Sequence, residues 1–224
     1  MKKFAILSVV IFLAIIGFFA TNISSQQKND LTNAFNESIA LEGQGKLKEA
    51  AALLEPFAEP YKDNYLLQLR LGYLYYLTDN NEKSIKHYEL AVKLQPSSVE
   101  ALLGLRLPYA KSNNWAKAEE LYNKVLKLDP NNREANLRLG QIYYYNGLAV
   151  FEKGFDKAKP LWEKSKNYLN KIISLYPSDY EANLSYGYTM YALGFNDVAK
   201  KHFNAVLMMN KEDSLAVKGL NLIK

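Results

Sequence analysis

The chain has 224 residues, of which 49% are hydrophobic and 23% are charged, so it is long enough to bury a core and too apolar to be disordered. Lys2 and Lys3 account for two of its 28 basic residues, and the other 26 face 23 acidic residues, a balance too even to indicate a nucleic-acid partner. The absence of cysteine excludes disulfides, thiolate metal sites and thiol nucleophiles.

The N-terminal segment 1–25 predicts insertion into a membrane or export across one. Two lysines precede a 17-residue apolar run, 4–20, which as a helix is about 25 Å long and close to the shortest length that crosses a bilayer. One prediction is an uncleaved, single-pass signal anchor that places the repeats on the extracytoplasmic side of the cytoplasmic membrane. The alternative is a signal peptide whose cleavage releases a secreted or periplasmic chain. A polar linker, 26–30, follows.

The rest of the chain contains a pattern that recurs every 34 residues. Pro96 and Pro130, which are 34 residues apart, each end a predicted helix. Before each proline come small, apolar and aromatic residues at fixed spacing. One copy has Leu71, Gly72, Tyr75, Ser84, Tyr88 and Ala91; the next has Leu105, Tyr109, Ala118, Tyr122 and Val125; a later one has Gly187, Met190, Ala199, Phe203 and Val206. The pattern resembles the tetratricopeptide repeat, a pair of antiparallel helices.

The resemblance implies an all-α fold, a TPR-type α-solenoid of antiparallel helix hairpins, preceded by a single hydrophobic N-terminal helix. It covers 31–213, and two repeats depart from the pattern, with Ser38 and Arg106 where the close-packing glycine is expected. A final helix is predicted to cap the stack with Leu215, Val217, Leu220 and Ile223. The predicted repeats are 31–64, 65–98, 99–132, 133–179 and 180–213, and the capping helix is 214–224.

The fourth repeat, 133–179, is 13 residues longer than the period. Six of the extra residues fall between Gly140 and Ala158, and seven fall after Ala158. The spacing therefore predicts a hairpin in which each helix is extended by about two turns. Asp156 is predicted to cap the second helix of this hairpin, and Pro160 to lie in about its first turn, where proline is tolerated.

No group of residues predicts catalysis, a cofactor or a metal. The sequence contains no glycine-rich phosphate loop, activated nucleophile or convergent carboxylate pair. The carboxylates of the inter-repeat turns, Asp129 and Asp179, are predicted to cap helices. His87 and His202, the only histidines, occupy equivalent sites in distant repeats and are predicted to be solvated surface residues. The chain is therefore predicted not to be an enzyme.

The resemblance also implies a partner-binding groove, because the first helices of tetratricopeptide repeats line a concave surface. Tyrosine and arginine are typical of binding hot spots, although many of the tyrosines here could simply cover neighbouring helices. Leucines occupy most positions of the basic clamp that binds charged C-terminal tails, which favours an extended or helical peptide of mixed polarity. The candidate groove residues are Leu69, Arg70, Tyr73, Tyr76, Leu103, Leu107, Leu137, Arg138, Gln141, Tyr144, Tyr145, Leu184, Tyr188 and Tyr191.

The favoured hypothesis is a scaffold that binds a protein or peptide in an envelope assembly, with a membrane tether at 4–20 and no nucleic-acid partner. A second hypothesis is a structural module that forms homo-oligomers through the long hairpin or the terminal helix. A third is regulation, in trans, of an envelope enzyme complex. The identity of the partner and the oligomeric state stay open, because a repeat fold defines a mode of action and not a ligand.

Overall fold

The computed structural model of the chain describes residues 29–223, and every regular element in that range is helical. The predicted membrane segment at 4–20 lies outside the described residues. Between residues 29 and 223, no helix is both long and apolar enough to cross a membrane. The helices are α1 (29–43), α2 (Leu47–Leu54) with a short 3-10 helix after it (Glu55–Phe57), α3 (Tyr65–Leu77), α4 (Asn81–Leu94), α5 (Val99–Lys111), α6 (Trp115–Leu128), α7 (Arg133–Phe151), α8 (Phe155–Leu175), α9 (Tyr180–Ala192), α10 (Asn196–Met209) and α11 (Ser214–Leu222).

Two kinds of turn separate the helices. The tight turn inside each hairpin contains one residue with φ between 58° and 114°, the left-handed region that glycine, asparagine and aspartate tolerate best. These residues are Gly45, Asp79, Asn113, Gly154 and Gly194. The turn between hairpins ends on a side-chain cap, whose oxygen accepts the backbone N–H three residues later at 2.6–3.1 Å. The caps are Asn64, Ser98, Asn132, Asp179 and Asp213.

The described residues form two compact units, 29–96 and 97–223, called here the N-terminal and C-terminal units. The core of the N-terminal unit joins α1, α2 and α3 through buried leucines and alanines, including Leu31, Leu54 and Leu71. Ser38, which replaces the expected glycine, is fully buried, and its hydroxyl donates to the Phe35 carbonyl at 2.7 Å. A small polar side chain therefore occupies in this first hairpin the position at which α3, α7 and α9 have glycine.

The C-terminal unit contains the long hairpin. Its helices α7 and α8 have 19 and 21 residues, six and seven more than the 13 and 14 residues of α9 and α10. Gly140 packs against Leu169, and one further glycine, Gly147, packs against Trp162; a Cβ on Gly147 would lie 2.2 Å from the indole Nε1. That indole nitrogen donates to the Tyr144 carbonyl at 3.1 Å. The added turns thus bring their own close contact between the two helices.

The start of α8 differs from the sequence prediction. The residue before the helix is Gly154, which forms no side-chain cap, and Asp156 lies in the first turn of α8. There its carboxylate faces the positive end of the helix dipole without capping it. Pro160 lies inside α8, beyond the first turn, so the helix lacks the hydrogen bond that a backbone N–H at this position would donate.

The face that α11 buries also differs from the prediction. Leu215 and Val217 are exposed, whereas Ala216 and Gly219 are buried. A Cβ on Gly219 would lie 2.4 Å from the Phe203 ring, so glycine allows α11 to approach α10 closely. Leu220 and Ile223 pack against the same core as predicted.

The two histidines are not solvated surface residues, which corrects the prediction from sequence. His87 is 4% exposed and lies 2.7 Å, Nδ1 to Oε1, from the buried side chain of Gln68. His202 is half-buried and makes the equivalent 2.7 Å contact with the side-chain oxygen of Asn183. Burial lowers the pKa of His87 to about 4 and also lowers that of His202, so both side chains are neutral at pH 7.

Candidate functional site

In one hairpin, a charged side chain occupies the position at which the two helices cross. In α3 and α9, glycine occupies this position, and a Cβ on Gly72 or Gly187 would lie 2.7 Å from the ring of Tyr88 or Phe203. In α5 the corresponding residue, 34 positions after Gly72, is Arg106. Its guanidinium carbon lies 5.7 Å from the ring centroid of Tyr122, the counterpart of Tyr88. The α5–α6 hairpin therefore contains a charged side chain where the other two bring a ring against the helix backbone.

A shared carboxylate holds Arg106 in place. Arg106 bonds Glu134 of α7 through one terminal nitrogen at 2.9 Å, and the same Glu134 oxygen accepts from Nε of Arg138 at 3.2 Å. Arg138 also donates to Gln141 at 2.9 Å, and it lies 3.8 Å from Glu181. Nε of Arg106 is buried without a hydrogen-bond partner among the described residues. One carboxylate thus serves two guanidinium groups, and one donor stays unused.

These residues line a cavity of about 540 Å³ in the C-terminal unit. The volume is in the range of small-ligand and side-chain pockets. Its polar groups are two arginines and two side-chain amides, and the remainder of its wall is aromatic or aliphatic. The lining residues are Arg106, Ala110, Trp115, Tyr122, Arg138, Gln141, Ile142, Tyr145 and Asn146.

The aromatic residues give this cavity both an apolar wall and a neutral donor. Burial raises the pKa of Tyr122 to about 12, so its phenol keeps its proton at neutral pH. Trp115 and Tyr145 are 52% and 65% exposed, and large exposed aromatic side chains next to arginine are typical of protein-binding hot spots. The cavity can therefore bind a group with one anionic end and one apolar end.

Three of the predicted groove residues, Arg138, Gln141 and Tyr145, lie together in this cavity. Leu103 and Leu107 of α5 are half-buried and do not line it. Leu137 is fully buried and packs with Leu169, Ile172 and Ala182, so its assignment to the groove was wrong. The side chain of Leu137 contributes to the core of the long hairpin instead.

The four remaining candidates in the C-terminal unit pack around the last hairpin. Tyr144 and Tyr188 have ring centroids 6.3 Å apart, and the Tyr188 hydroxyl donates to the Leu215 carbonyl of α11 at 2.6 Å. Leu184 and Tyr191 are half-buried against the same core. These side chains support the packing of neighbouring helices, which was the alternative reading of the tyrosines.

In the N-terminal unit, the predicted groove residue Arg70 connects two helices. Its guanidinium donates to the Ser38 carbonyl at 2.9 Å and forms an ion pair with Glu42, so it joins α3 to α1. Tyr73 is 36% exposed, and burial followed by the Glu42 charge raises its pKa. Leu69 and Tyr76 are half-buried. None of these four residues lines the cavities of the N-terminal unit that contain Pro56 or Phe35.

Sequence reasoning missed the residues that complete the cavity: Arg106, Ala110, Trp115, Tyr122, Ile142 and Asn146. One signal was available, because Arg106 breaks the glycine pattern of its repeat. Its meaning depended on the packing of α5 against α7, which the spacing of the repeat does not define.

A metal site was also considered. Residues 29–223 contain no group of three or more histidine, aspartate or glutamate side chains able to hold a metal ion.

Comparison with known families places repeat models on two parts of the chain. A model described as "Tetratricopeptide repeat" matches residues 35–99, and one described as "TPR repeat" matches residues 108–147. Among curated proteins, "Uncharacterized protein ycf37" of Pyropia yezoensis is 38% identical over 68 residues. That match covers 30% of this chain and 38% of the relative, so it extends over less than half of either protein.

Solved structures match over most of the chain. The crystal structure of the MamA protein superposes with a TM-score of 0.68 at 19% identity, covering 84% of this chain and 95% of that one. YrrB, whose structure is described as "a TPR protein with an unusual peptide-binding site", superposes with a TM-score of 0.66 at 14% identity, covering 90% and 97%. At these identities the likeness shows the fold alone. The two repeat models, together with the helical hairpins described above, show that the chain is a tetratricopeptide repeat protein.

Proposed function

We propose that the chain is a non-catalytic scaffold that binds a segment of another protein, with the cavity around Arg106 as the contact site. The observation that supports this proposal is the composition of the cavity, in which two arginines and two amides lie among exposed aromatic residues. Such a wall offers contact area together with directional hydrogen bonds, which is the combination that dominates protein–protein affinity.

The similar fold of YrrB, which is described as having a peptide-binding site, agrees with this proposal without locating the site in the present chain. Helical repeats present side chains from several helices to one ligand, and here α5, α6 and α7 all contribute to the cavity. A bound segment would therefore touch two successive hairpins. This arrangement suits a chain segment better than a small metabolite, because Trp115 and Tyr145 extend the apolar wall to the surface.

Site-specific crosslinking in cells that express the full-length chain tests the proposal. A photoreactive phenylalanine analogue is placed at Tyr145, which lines the cavity, or at Tyr176, which is 51% exposed and does not line it. We expect a discrete crosslinked partner from position 145 and not from position 176. Identical products from both positions, or none from position 145, would contradict the assignment of the site.

We also propose that residues 4–20 tether the scaffold to the cytoplasmic membrane, with the repeats on the extracytoplasmic side, in an envelope assembly. The support is the sequence alone: a basic start, an apolar run and a polar linker. N-terminal sequencing of the mature chain, combined with alkaline extraction of membranes, separates a tether from a cleaved signal. An intact N-terminus in the membrane pellet is expected; a chain that starts near residue 26 in the soluble fraction would contradict the tether.

A second candidate function, self-association, has a specific observation in its favour. At the tip of the long hairpin, Leu148, Phe151 and Phe155 are between 41% and 49% exposed. An exposed apolar cluster of this kind can pair with a second copy. Sedimentation of the full-length chain in detergent, compared with a Phe151→Ser/Phe155→Ser variant, decides the matter: a concentration-dependent oligomer that the substitutions abolish would favour self-association over a monomeric scaffold.

A further inference from the structure

Arg106 determines which chemical group the cavity can accept. At the crossing position, α3, α7 and α9 have glycine and α1 has the short side chain of Ser38, whereas α5 has the charged side chain of Arg106. The guanidinium has one ion-pair partner, Glu134, which Arg138 shares, and Nε has no partner among the described residues. A buried donor without a partner destabilises the free protein, so a ligand acceptor that bonds the guanidinium would offset part of that destabilisation.

The local charge favours an anion with a single negative charge. Arg106 and Arg138 contribute two positive charges, and Glu134 supplies one negative charge between them. Behind the cavity wall, Glu181 lies 3.8 Å from Arg138 and 3.1 Å from Arg133, which Asp179 also binds, so the connected ion-pair network contains three arginines and three carboxylates. The residues that line the cavity include Arg106 and Arg138 but no acidic residue, which favours an anion there. A carboxylate adds one negative charge to the balanced network, whereas a doubly charged phosphate adds two.

The remainder of the cavity requires an apolar group beside that carboxylate. Trp115, Ile142 and Tyr145 line it together with the arginines, and the ring of Tyr122 lies beneath the Arg106 guanidinium. One terminal nitrogen of this guanidinium bonds Glu134 and Nε is buried, so a ligand carboxylate would bind Arg106 through its other terminal nitrogen. The volume of about 540 Å³ accommodates more than the carboxylate group alone.

We infer that the cavity recognises an internal aspartate or glutamate side chain of the partner, adjacent in its sequence to a large apolar residue. The carboxylate binds Arg106 and the apolar residue packs against Trp115 and Tyr145. This inference rests on the proposed function, and it specifies the ligand of the same site. It differs from recognition of a C-terminal tail, because the group bound is a side chain and not the chain end.

Selection of peptides tests the inference without knowledge of the natural partner. A phage library of random linear peptides is panned against the immobilised full-length chain and two variants. Arg106→Gly restores the residue common to the other repeats, and Lys200→Gln removes an equal charge at an exposed site of α10 that does not line the cavity. Circular dichroism and tryptophan fluorescence confirm that each variant is folded, and Arg106→Lys, which keeps the charge but not the planar fork, provides a second probe of Arg106.

The expected result is a set of wild-type-selected peptides that share an acidic residue next to an aromatic or aliphatic one. Synthesised with both ends blocked, such a peptide should bind wild type and the Lys200→Gln variant equally. Replacement of its acidic residue by the amide should weaken binding at least tenfold, and Arg106→Gly should weaken it to the same degree. The affinity of the Arg106→Lys variant for the peptide should lie between those of wild type and Arg106→Gly.

The other outcomes are distinct. Selected peptides that lack an acidic residue, or that bind as well in the amide form, would overturn the inference and leave the proposed function standing. Loss of binding when only the C-terminus is blocked would overturn it in favour of a chain-end carboxylate. Failure of every library peptide to be enriched on the folded chain would contradict the proposed function itself, and with it this inference.

Discussion

Two hairpins of the C-terminal unit, α5–α6 and α9–α10, have different residue types at the position where their two helices cross. In α9–α10, Gly187 lets the buried ring of Phe203 rest against the backbone of α9. In α5–α6 the matching pair is Arg106 and Tyr122, and the guanidinium lies over the ring. The first arrangement closes the hairpin, whereas the second adjoins a cavity. A single change of residue type at the crossing position thus separates a closed hairpin from one that lines the proposed binding cavity.

The comparison shows where a repeat protein can place function without losing its fold. The remaining crossing positions of these hairpins keep the repeat pattern: Ala118 in α6 and Ala199 in α10 are both fully buried. The exception is tolerated because Glu134 of the next hairpin binds the arginine, so the charge is compensated. The proposed binding site therefore includes the position that breaks the pattern, and the side chain that compensates its charge lies in the next hairpin.

The largest expected effect comes from copying the α5 arrangement into α9. Gly187→Arg places a long charged side chain where even a Cβ would lie 2.7 Å from Phe203. Glu134 follows Arg106 by 28 residues, whereas the residue 28 positions after Gly187 is Leu215, which cannot compensate the charge. Overpacking and an uncompensated buried charge together should lower the free energy of unfolding by about 4 kcal/mol. Both tryptophans, Trp115 and Trp162, belong to the C-terminal unit, so urea unfolding followed by tryptophan fluorescence measures the loss there. Gly43→Ala, where a Cβ would meet nothing within 4 Å, is the control.

The next largest effect is a loss of stability at low pH. It arises at the residue that precedes the buried aromatic residue in the second helix of a hairpin. This residue is His87 beside Gln68 in α3–α4, whereas α5–α6 has Leu121 at the equivalent site. The His87 pKa is near 6.5 in the unfolded chain and about 4 in the folded one. Above pH 6.5 His87 is neutral in both states and does not lower the free energy of unfolding. As the pH falls towards 4, the unfolded chain binds a proton at His87 that the folded chain does not, and the free energy of unfolding decreases by up to about 3 kcal/mol.

Unfolding of the full-length chain monitored by circular dichroism between pH 4 and 7 measures this dependence. His87→Gln should flatten the decrease more than His202→Gln does, because His202 is less buried. An unchanged pH profile in the His87 variant would show that other groups dominate acid destabilisation.

A smaller effect is expected from the tyrosine that joins α9 to α11. Tyr188→Phe removes the hydroxyl that donates to the Leu215 carbonyl at 2.6 Å, which should cost about 1 kcal/mol. Tyr145→Phe at the exposed cavity rim should change stability by less than about 0.5 kcal/mol. Equal effects of the two substitutions in urea unfolding would contradict the assignment of Tyr188 to packing.

The last prediction is that Arg106 itself contributes little to stability. Arg106→Gly loses one ion pair but also removes a buried donor without a partner, and Glu134 keeps its bond to Arg138. The free energy of unfolding should stay within about 1 kcal/mol of wild type, by the same fluorescence assay. A loss above about 2 kcal/mol would assign Arg106 a structural role and remove the contrast with Gly187.

The helical hairpins could be predicted from residue types that recur along the sequence. Glycines, prolines and capping residues recur at the spacing of the hairpins, and α7 and α8 are longer by the six and seven residues that the spacing indicated. Burial within the hairpins was harder to predict. Leu137 faces the core because Ile172 and Ala182 cover it, and no helical periodicity reveals which of two apolar faces a neighbour will cover.

The cavity was only partly predictable for a related reason. Arg138, Gln141 and Tyr145 lie on one face of α7 and could be grouped from the sequence. The bond between Arg106 and Glu134 joins residues 28 positions apart in different hairpins, and it depends on how the two hairpins pack. The burial of His87 depends similarly on Gln68, 19 residues earlier, whose amide faces inward.

The contact between Arg106 and a partner carboxylate is measured most directly by a double-mutant cycle. Isothermal titration gives the affinities of wild type and the Arg106→Gly variant for one selected peptide and for the same peptide with its acidic residue changed to the amide. A direct contact predicts a coupling free energy of about 1.5 kcal/mol or more between the two substitutions. Strictly additive losses, with a coupling near zero, would contradict the assignment of Arg106 as the residue that recognises the partner.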